Sequence, residues 1–61
     1  MTKSESWQLQ IEKAKIELAL AEQDLKNAEP DFVVAAAHEV TAKQEKLNAL
    51  IGRAKKEMMT A

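Results

Sequence analysis

Apolar residues recur at alternating spacings of four and three through the first half of the chain, which is the pattern of a helix with one buried face. The series starts at Trp7 and alternates large with small side chains. Its later members are Ile11, Ala14, Leu18, Ala21, Leu25 and Ala28. Alanine at every second position lets a neighbouring helix approach closely, so we expect an antiparallel partner helix.

Capping signals bound this first helix. Thr2-Lys3-Ser4-Glu5 has the form of a capping box, with Ser4 or Ser6 as alternative caps. At the other end, Pro30 disfavours helical geometry at Glu29 and suits the first turn of a new helix. We therefore predict helix one at about 3–28, a hinge at 28–31 and helix two at about 31–59. A connection this short makes the helices antiparallel.

The second helix carries the same spacing, at Val33, Ala37, Val40, Gln44, Leu47, Ile51, Ala54 and Met58, with Ala36 and Leu50 widening the face. Gln44 either fixes register and oligomer number or reaches out to water. Gly52 either marks a close helix contact or ends the regular helix early. The prediction is one all-α domain over 1–61, a coiled-coil-like antiparallel hairpin. Its seam consists of Trp7, Ile11, Leu18, Leu25, Val33, Val40, Leu47 and Ile51.

Helix one has a second apolar stripe, formed by Leu9, Ile16 and Leu20 on the side roughly opposite the seam. The stripe is either the margin of a broad core or an interface, and we favour the interface. Folding a compact 6.8 kDa chain buries about 6,000 Å². If roughly 60% of that area is apolar, its burial is worth about 90 kcal/mol. Ordering the chain costs about as much, and a two-helix hairpin is less compact than such a globule. Association offsets this deficit, so we expect a homo-oligomer. A dimer of hairpins forming a four-helix bundle is the simplest closed arrangement.

The residues that usually carry chemistry are scarce. The chain has no cysteine, one glycine and one histidine, which leaves no thiolate ligand and no glycine-rich phosphate loop. His38-Glu39 begins like the H-E-x-x-H zinc motif, but Ala42 stands where the second histidine belongs, so we expect His38 on the surface. Neighbouring carboxylates, such as Glu12 with Glu17 and Glu22 with Asp24, are interpreted as solvated helix faces. We expect no enzyme, no catalytic residue, no metal and no cofactor.

Nucleic acids and membranes are two other classes of partner. Five basic residues give helix two a local positive excess and are the candidate contacts of an alternative, RNA-binding hairpin dimer: Lys43, Lys46, Arg53, Lys55 and Lys56. The net charge of −1, the absence of interleaved aromatics and the spread of these residues around the helix make nucleic acid the less favoured partner. No apolar run is long enough for a membrane span and no signal peptide opens the chain, so a cytoplasmic protein is expected.

The second half also resembles a known family. Glu29 to Val33, Ala37 to Ala42, Leu47 to Leu50 and Ala54-Lys55 are similar to the YaaL-like family, short uncharacterised helical proteins of Gram-positive bacteria. The resemblance implies a bacterial cytoplasmic hairpin and transfers no active residues. From all of this we expect a small, non-enzymatic interaction or regulatory module that self-associates, and its protein partner is not identified by the sequence.

Overall fold

The computed structural model describes residues 2–59, which form two α-helices joined by a short turn. Helix α1 spans Lys3–Lys26 and helix α2 spans Val33–Met59. The start of α1 lies beside the end of α2, where Lys3 and Glu57 form an ion pair. Near the middle, Glu17 pairs with Lys43 and Lys46. Residue numbers therefore rise on one helix as they fall on the other, and the two helices run antiparallel.

The predicted capping box at the start of α1 is confirmed. The Thr2 hydroxyl oxygen accepts a hydrogen bond from the Glu5 backbone N–H at 3.1 Å. In return, the Glu5 carboxylate accepts one from the Thr2 backbone N–H at 3.1 Å. Two N–H groups that a helix start leaves without a partner are satisfied in this way. The bond from the Thr2 backbone is also the main cause that lowers the pKa of Glu5 below its ordinary value.

The hinge is longer than predicted because both helices are shorter at that end. α1 ends at Lys26 rather than 28, and the Asn27 N–H closes its last turn by donating to the Gln23 carbonyl at 3.1 Å. A single 3₁₀ turn over Pro30–Phe32 precedes α2, which starts at Val33 rather than at 31. The Phe32 N–H donates to the Glu29 carbonyl at 2.8 Å across this turn. Proline needs no N–H partner at the start of a turn, which explains its position here.

The core between the helices is thin. Among residues 2–59, only Ala14, Ala21, Leu47 and Ala54 are buried. Three of the four are alanines, whose small side chains let the helix backbones approach closely. Of the predicted seam, Leu47 is buried, and six members are partly buried: Trp7, Ile11, Leu18, Leu25, Val40 and Ile51. Val33 departs from the prediction, because its side chain is 41% exposed.

The buried line of α2 is rotated relative to the predicted seam. Ala37, Gln44 and Met58 are exposed, like Val33. The least exposed positions of α2 are instead Ala36, Val40, Lys43, Leu47, Leu50, Ile51, Ala54 and Glu57. The physical reason is that a heptad series is broad enough to touch more than one neighbouring helix. A single partner helix covers only the part of that series that faces it.

Gly52 lies within a regular helix, since α2 continues to Met59. A Cβ atom built on Gly52 meets nothing within 4 Å. Both readings offered by the sequence, an early helix end and a close helix contact, are therefore wrong for this hairpin. Over residues 2–59, neither helix is long and apolar enough to cross a membrane.

Candidate interaction surfaces

Ion pairs between the helices centre on Glu17. Its carboxylate lies 3.4 Å from the Lys46 ammonium and 3.9 Å from that of Lys43. Lys43 also lies 3.7 Å from the Glu39 carboxylate, one turn earlier in α2. The side chains of Glu17 and Lys43 are only 27% and 29% exposed. Glu17 is therefore only partly solvated, because its carboxylate pairs with two lysines of α2.

A second polar cluster joins the helices at the end away from the hinge. The Glu57 carboxylate lies 3.4 Å from the Lys3 ammonium and accepts a hydrogen bond from the Trp7 indole N–H at 3.3 Å. The hydrogen bond from Lys3 is the largest cause that lowers the pKa of Glu57 below its ordinary value, and Trp7 and Arg53 act in the same direction. The sequence pattern assigned no role to Glu57. Its position is recognisable only once the antiparallel register is known.

Three shallow hollows with shared lining residues run from the Glu17 contacts to the hinge, and we call this side of the hairpin the charged face. One hollow is lined by Gln10, Lys13, Glu17, Lys46 and Leu50. The next is lined by Glu17, Leu20, Ala21, Asp24, Glu39 and Lys43. The third, near the hinge, is lined by Ala21, Asp24, Ala28, Glu29, Phe32, Ala35, Ala36 and Glu39. The charged face therefore runs along both helices and contains all the cross-helix contacts of Glu17.

The hinge hollow has the most distinct chemistry of the three. Its lining combines four alanines with the acidic residues Asp24, Glu29 and Glu39. Phe32, which also lines it, is 62% exposed. Within residues 2–59, no group of three or more His, Asp or Glu side chains is arranged to hold a metal ion. The hollow offers apolar contacts and negative charge, and its lining residues include no nucleophile paired with a general base.

The stripe that the sequence proposes as an interface lies on the outer edge of α1. Leu9, Ile16 and Leu20 are 57%, 60% and 56% exposed. Successive side chains on a helix are rotated by about 100°, so these three side chains point well away from the direction of the buried Ala14 and Ala21. Leu20 also lines the second hollow of the charged face, but all three side chains remain more than half exposed in the hairpin, and their role as an interface stays a prediction. The stripe is narrow, since it comes from one helix alone and covers about 16 Å of its length.

The five basic residues proposed as contacts in the alternative, nucleic-acid-binding hypothesis differ in their surroundings. Lys43 and Lys46 are engaged by Glu17, so their charge is partly neutralised. Arg53, Lys55 and Lys56 are exposed in the last two turns of α2. At about 100° per residue, Arg53 and Lys56 lie on the same side of α2, one turn apart, whereas Lys55 points in another direction. Only two of the three cations therefore share a face.

The two remaining polar residues singled out in the sequence are on the surface. His38 is exposed, as expected. Gln44 is exposed too, and its side-chain amide donates to the Asn48 side-chain oxygen at 3.1 Å along the same helix. In the single hairpin, Gln44 therefore does not contribute to the contact between α1 and α2.

Comparison with known proteins adds no relative. No family model, no curated protein and no solved structure matches this chain. The resemblance of the second half to the YaaL-like family consequently stays a prediction.

Proposed function

We propose that this protein is a small self-associating helical hairpin, and that it acts as a non-enzymatic interaction or regulatory module. The simplest assembly is a dimer in which two hairpins form a four-helix bundle, and a cytoplasmic location is part of the proposal. The observation that carries it is the excess of apolar surface on a single hairpin.

A single hairpin also exposes more total surface than a compact protein of the same mass. The hairpin measures 48 × 18 × 10 Å, with a radius of gyration of 14.3 Å, whereas a globular chain of this length has about 10.5 Å. Its accessible surface is 4883 Å², against about 3,950 Å² for a compact protein of the same mass. The difference of about 900 Å² is close to the roughly 800 Å² that each partner contributes to a stable protein interface.

Much of this surface is hydrophobic. Large apolar side chains at least 41% exposed occur on both helices and at the hinge: Leu9, Ile16, Leu20, Phe32, Val33, Val34, Met58 and Met59. Scattered exposed apolar residues are ordinary in soluble proteins. Here they accompany a core whose only large buried side chain within residues 2–59 is that of Leu47. Association that covers part of this surface would supply the burial that the hairpin lacks.

The test is the dependence of mass and stability on concentration. We expect sedimentation equilibrium to give about twice the 6.8 kDa chain mass and the melting temperature to rise with protein concentration, since dissociation accompanies unfolding. A 6.8 kDa species that melts cooperatively at one temperature across a hundredfold dilution would overturn the proposal.

Nucleic-acid binding is a weaker second proposal, and we place it behind self-association for two reasons. Lys43 and Lys46 already have carboxylate partners. Phosphate binding would have to displace those carboxylates, and of the three remaining cations only Arg53 and Lys56 share a face. Any such binding would weaken steeply with added salt.

A further inference from the structure

The side of the hairpin opposite the charged face is aliphatic and includes residues from both helices. We call it the apolar face, formed by Ile11, Leu18, Leu25, Val33, Val40 and Ile51. Each of these directly follows a residue that lines a hollow of the charged face, namely Gln10, Glu17, Asp24, Phe32, Glu39 and Leu50. One residue advances a helix by about 100°, which carries each side chain across the line between the helices to the other side.

This face is incompletely covered in the single hairpin. Val33 is 41% exposed, and the other five residues are partly buried rather than buried. The ion pairs that join the helices through Glu17 lie on the charged face. Ala37 and Gln44 add exposed positions to the apolar face along α2. Two helices contribute to this surface, so it is broader than the stripe of Leu9, Ile16 and Leu20.

The charges of the chain are divided along the length of the hairpin. The half nearest the hinge, residues 17–45, holds seven acidic residues and two lysines, a net charge of −5. The other half, 2–16 with 46–59, holds seven basic residues and three acidic ones, a net charge of +4. Opposite charges on facing surfaces favour association, whereas like charges oppose it. A copy turned end for end would place the acidic half of each hairpin over the basic half of the other.

We propose that a second copy of this chain docks on the apolar face in the inverted orientation, with the two hinges at opposite ends of the assembly. The inference rests on the proposed self-association and specifies its surface and geometry. A two-fold axis across the middle of the hairpin generates this dimer. α1 then packs antiparallel on α1 of the second copy, and α2 on its own counterpart. Residues near the hinge of one copy approach residues near the free helix ends of the other.

The first test compares two matched alanines in α2. Ala37 is exposed on the apolar face, whereas Ala35 is exposed and lines the hinge hollow of the charged face. Ala37→Glu and Ala35→Glu make the same chemical change two residues apart and alter the charge of the same half. Each position is exposed in the single hairpin, so neither variant disrupts the packing between the helices.

We expect Ala37→Glu to raise the dimer dissociation constant by at least about 100-fold, because two carboxylates lose their water when they enter the apolar interface. Ala35→Glu is expected to change it by less than about threefold. Both variants should keep parental helicity by circular dichroism at high concentration. Equal dimerisation of Ala37→Glu and the parent would overturn the assignment of the surface. Dissociation by Ile16→Glu, with Ala37→Glu unaffected, would overturn it in favour of the outer stripe.

The second test determines the relative orientation of the two hairpins by disulfide cross-linking. The chain has no cysteine, so the introduced thiols are the only ones that can form disulfides. Val33→Cys lies next to the hinge and Met58→Cys near the end of α2. In the inverted dimer, a mixture of the two variants forms a mixed disulfide, whereas Val33→Cys alone forms few disulfide dimers. Predominant self-linking of Val33→Cys would mean that the hinges lie together, which would overturn the inverted orientation. A parent that is monomeric at every concentration would instead refute self-association itself.

Discussion

Replacing Gly52 by alanine tests how α2 behaves near its end. Glycine in a helix interior is less favourable than alanine by about 1 kcal/mol, because its backbone loses more freedom on folding. Gly52 is exposed within α2, and an added Cβ meets nothing within 4 Å. No steric term therefore opposes the gain. We expect Gly52→Ala to increase the free energy of unfolding by about 1 kcal/mol per chain.

The gain translates into a measurable shift in melting temperature. With an unfolding entropy of about 2.1 cal/mol/K per residue, 1 kcal/mol corresponds to roughly 8 °C for a chain of this size. Urea unfolding followed by circular dichroism at a fixed protein concentration is the direct assay. The midpoint is expected to rise while the m-value stays unchanged, since the surface exposed on unfolding is the same.

Ala49 supplies the matched control, because it is exposed on the same helix one turn earlier. Ala49→Gly is expected to cost about what Gly52→Ala gains, and the double variant to match the parent. If Gly52→Ala instead lowers stability or weakens association, while Ala49→Gly costs the expected amount, the reasoning fails. A second chain would then have to approach Gly52 in the assembly.

Two further predictions concern the core and the cluster at the helix ends. Leu47→Ala truncates the largest buried side chain in residues 2–59, and we expect it to lower the free energy of unfolding by about 2–4 kcal/mol in thermal or urea unfolding. Leu9→Ala, at a 57% exposed position, should change it by no more than about 0.5 kcal/mol. Equal effects of the two substitutions would mean that the core lies elsewhere. Lys3 and Trp7 hold the pKa of Glu57 below its ordinary value, so the Glu57 carboxylate binds a proton more readily in the unfolded chain than in the folded one. The stability that results is fully present above the pKa of Glu57 in the unfolded chain. It is lost as the pH falls through the lower pKa of Glu57 in the folded chain. The melting temperature of the parent is therefore expected to drop on acidification below the ordinary glutamate pKa of 4.5. The melting temperature of Glu57→Gln should drop less over the same pH range. Identical pH profiles for the two proteins would contradict the assigned contact.

The sequence alone determined the secondary structure and the topology of this protein. The capping box at Thr2 and Glu5 and the break at Pro30 are local signals, and each acts within a few residues. They fix where the chain can be helical whatever the helices pack against. The two-residue errors at the hinge arose because the 3₁₀ turn at Pro30–Phe32 depends on how the chain reverses.

The tertiary structure decided how the helices face each other. Both heptad series are broad enough for several rotations, so sequence spacing could not tell that Leu47 and Ala54 would be buried while Val33 and Gln44 remain exposed. Sequence spacing could not predict the contacts of Glu17 and Glu57 either. Glu17 and Lys46 are separated by 29 positions in the chain, and Trp7 and Glu57 are separated by 50. Such contacts depend on the relative rotation and register of two helices. Local periodicity specifies neither, because each emerges only when the packed side chains meet.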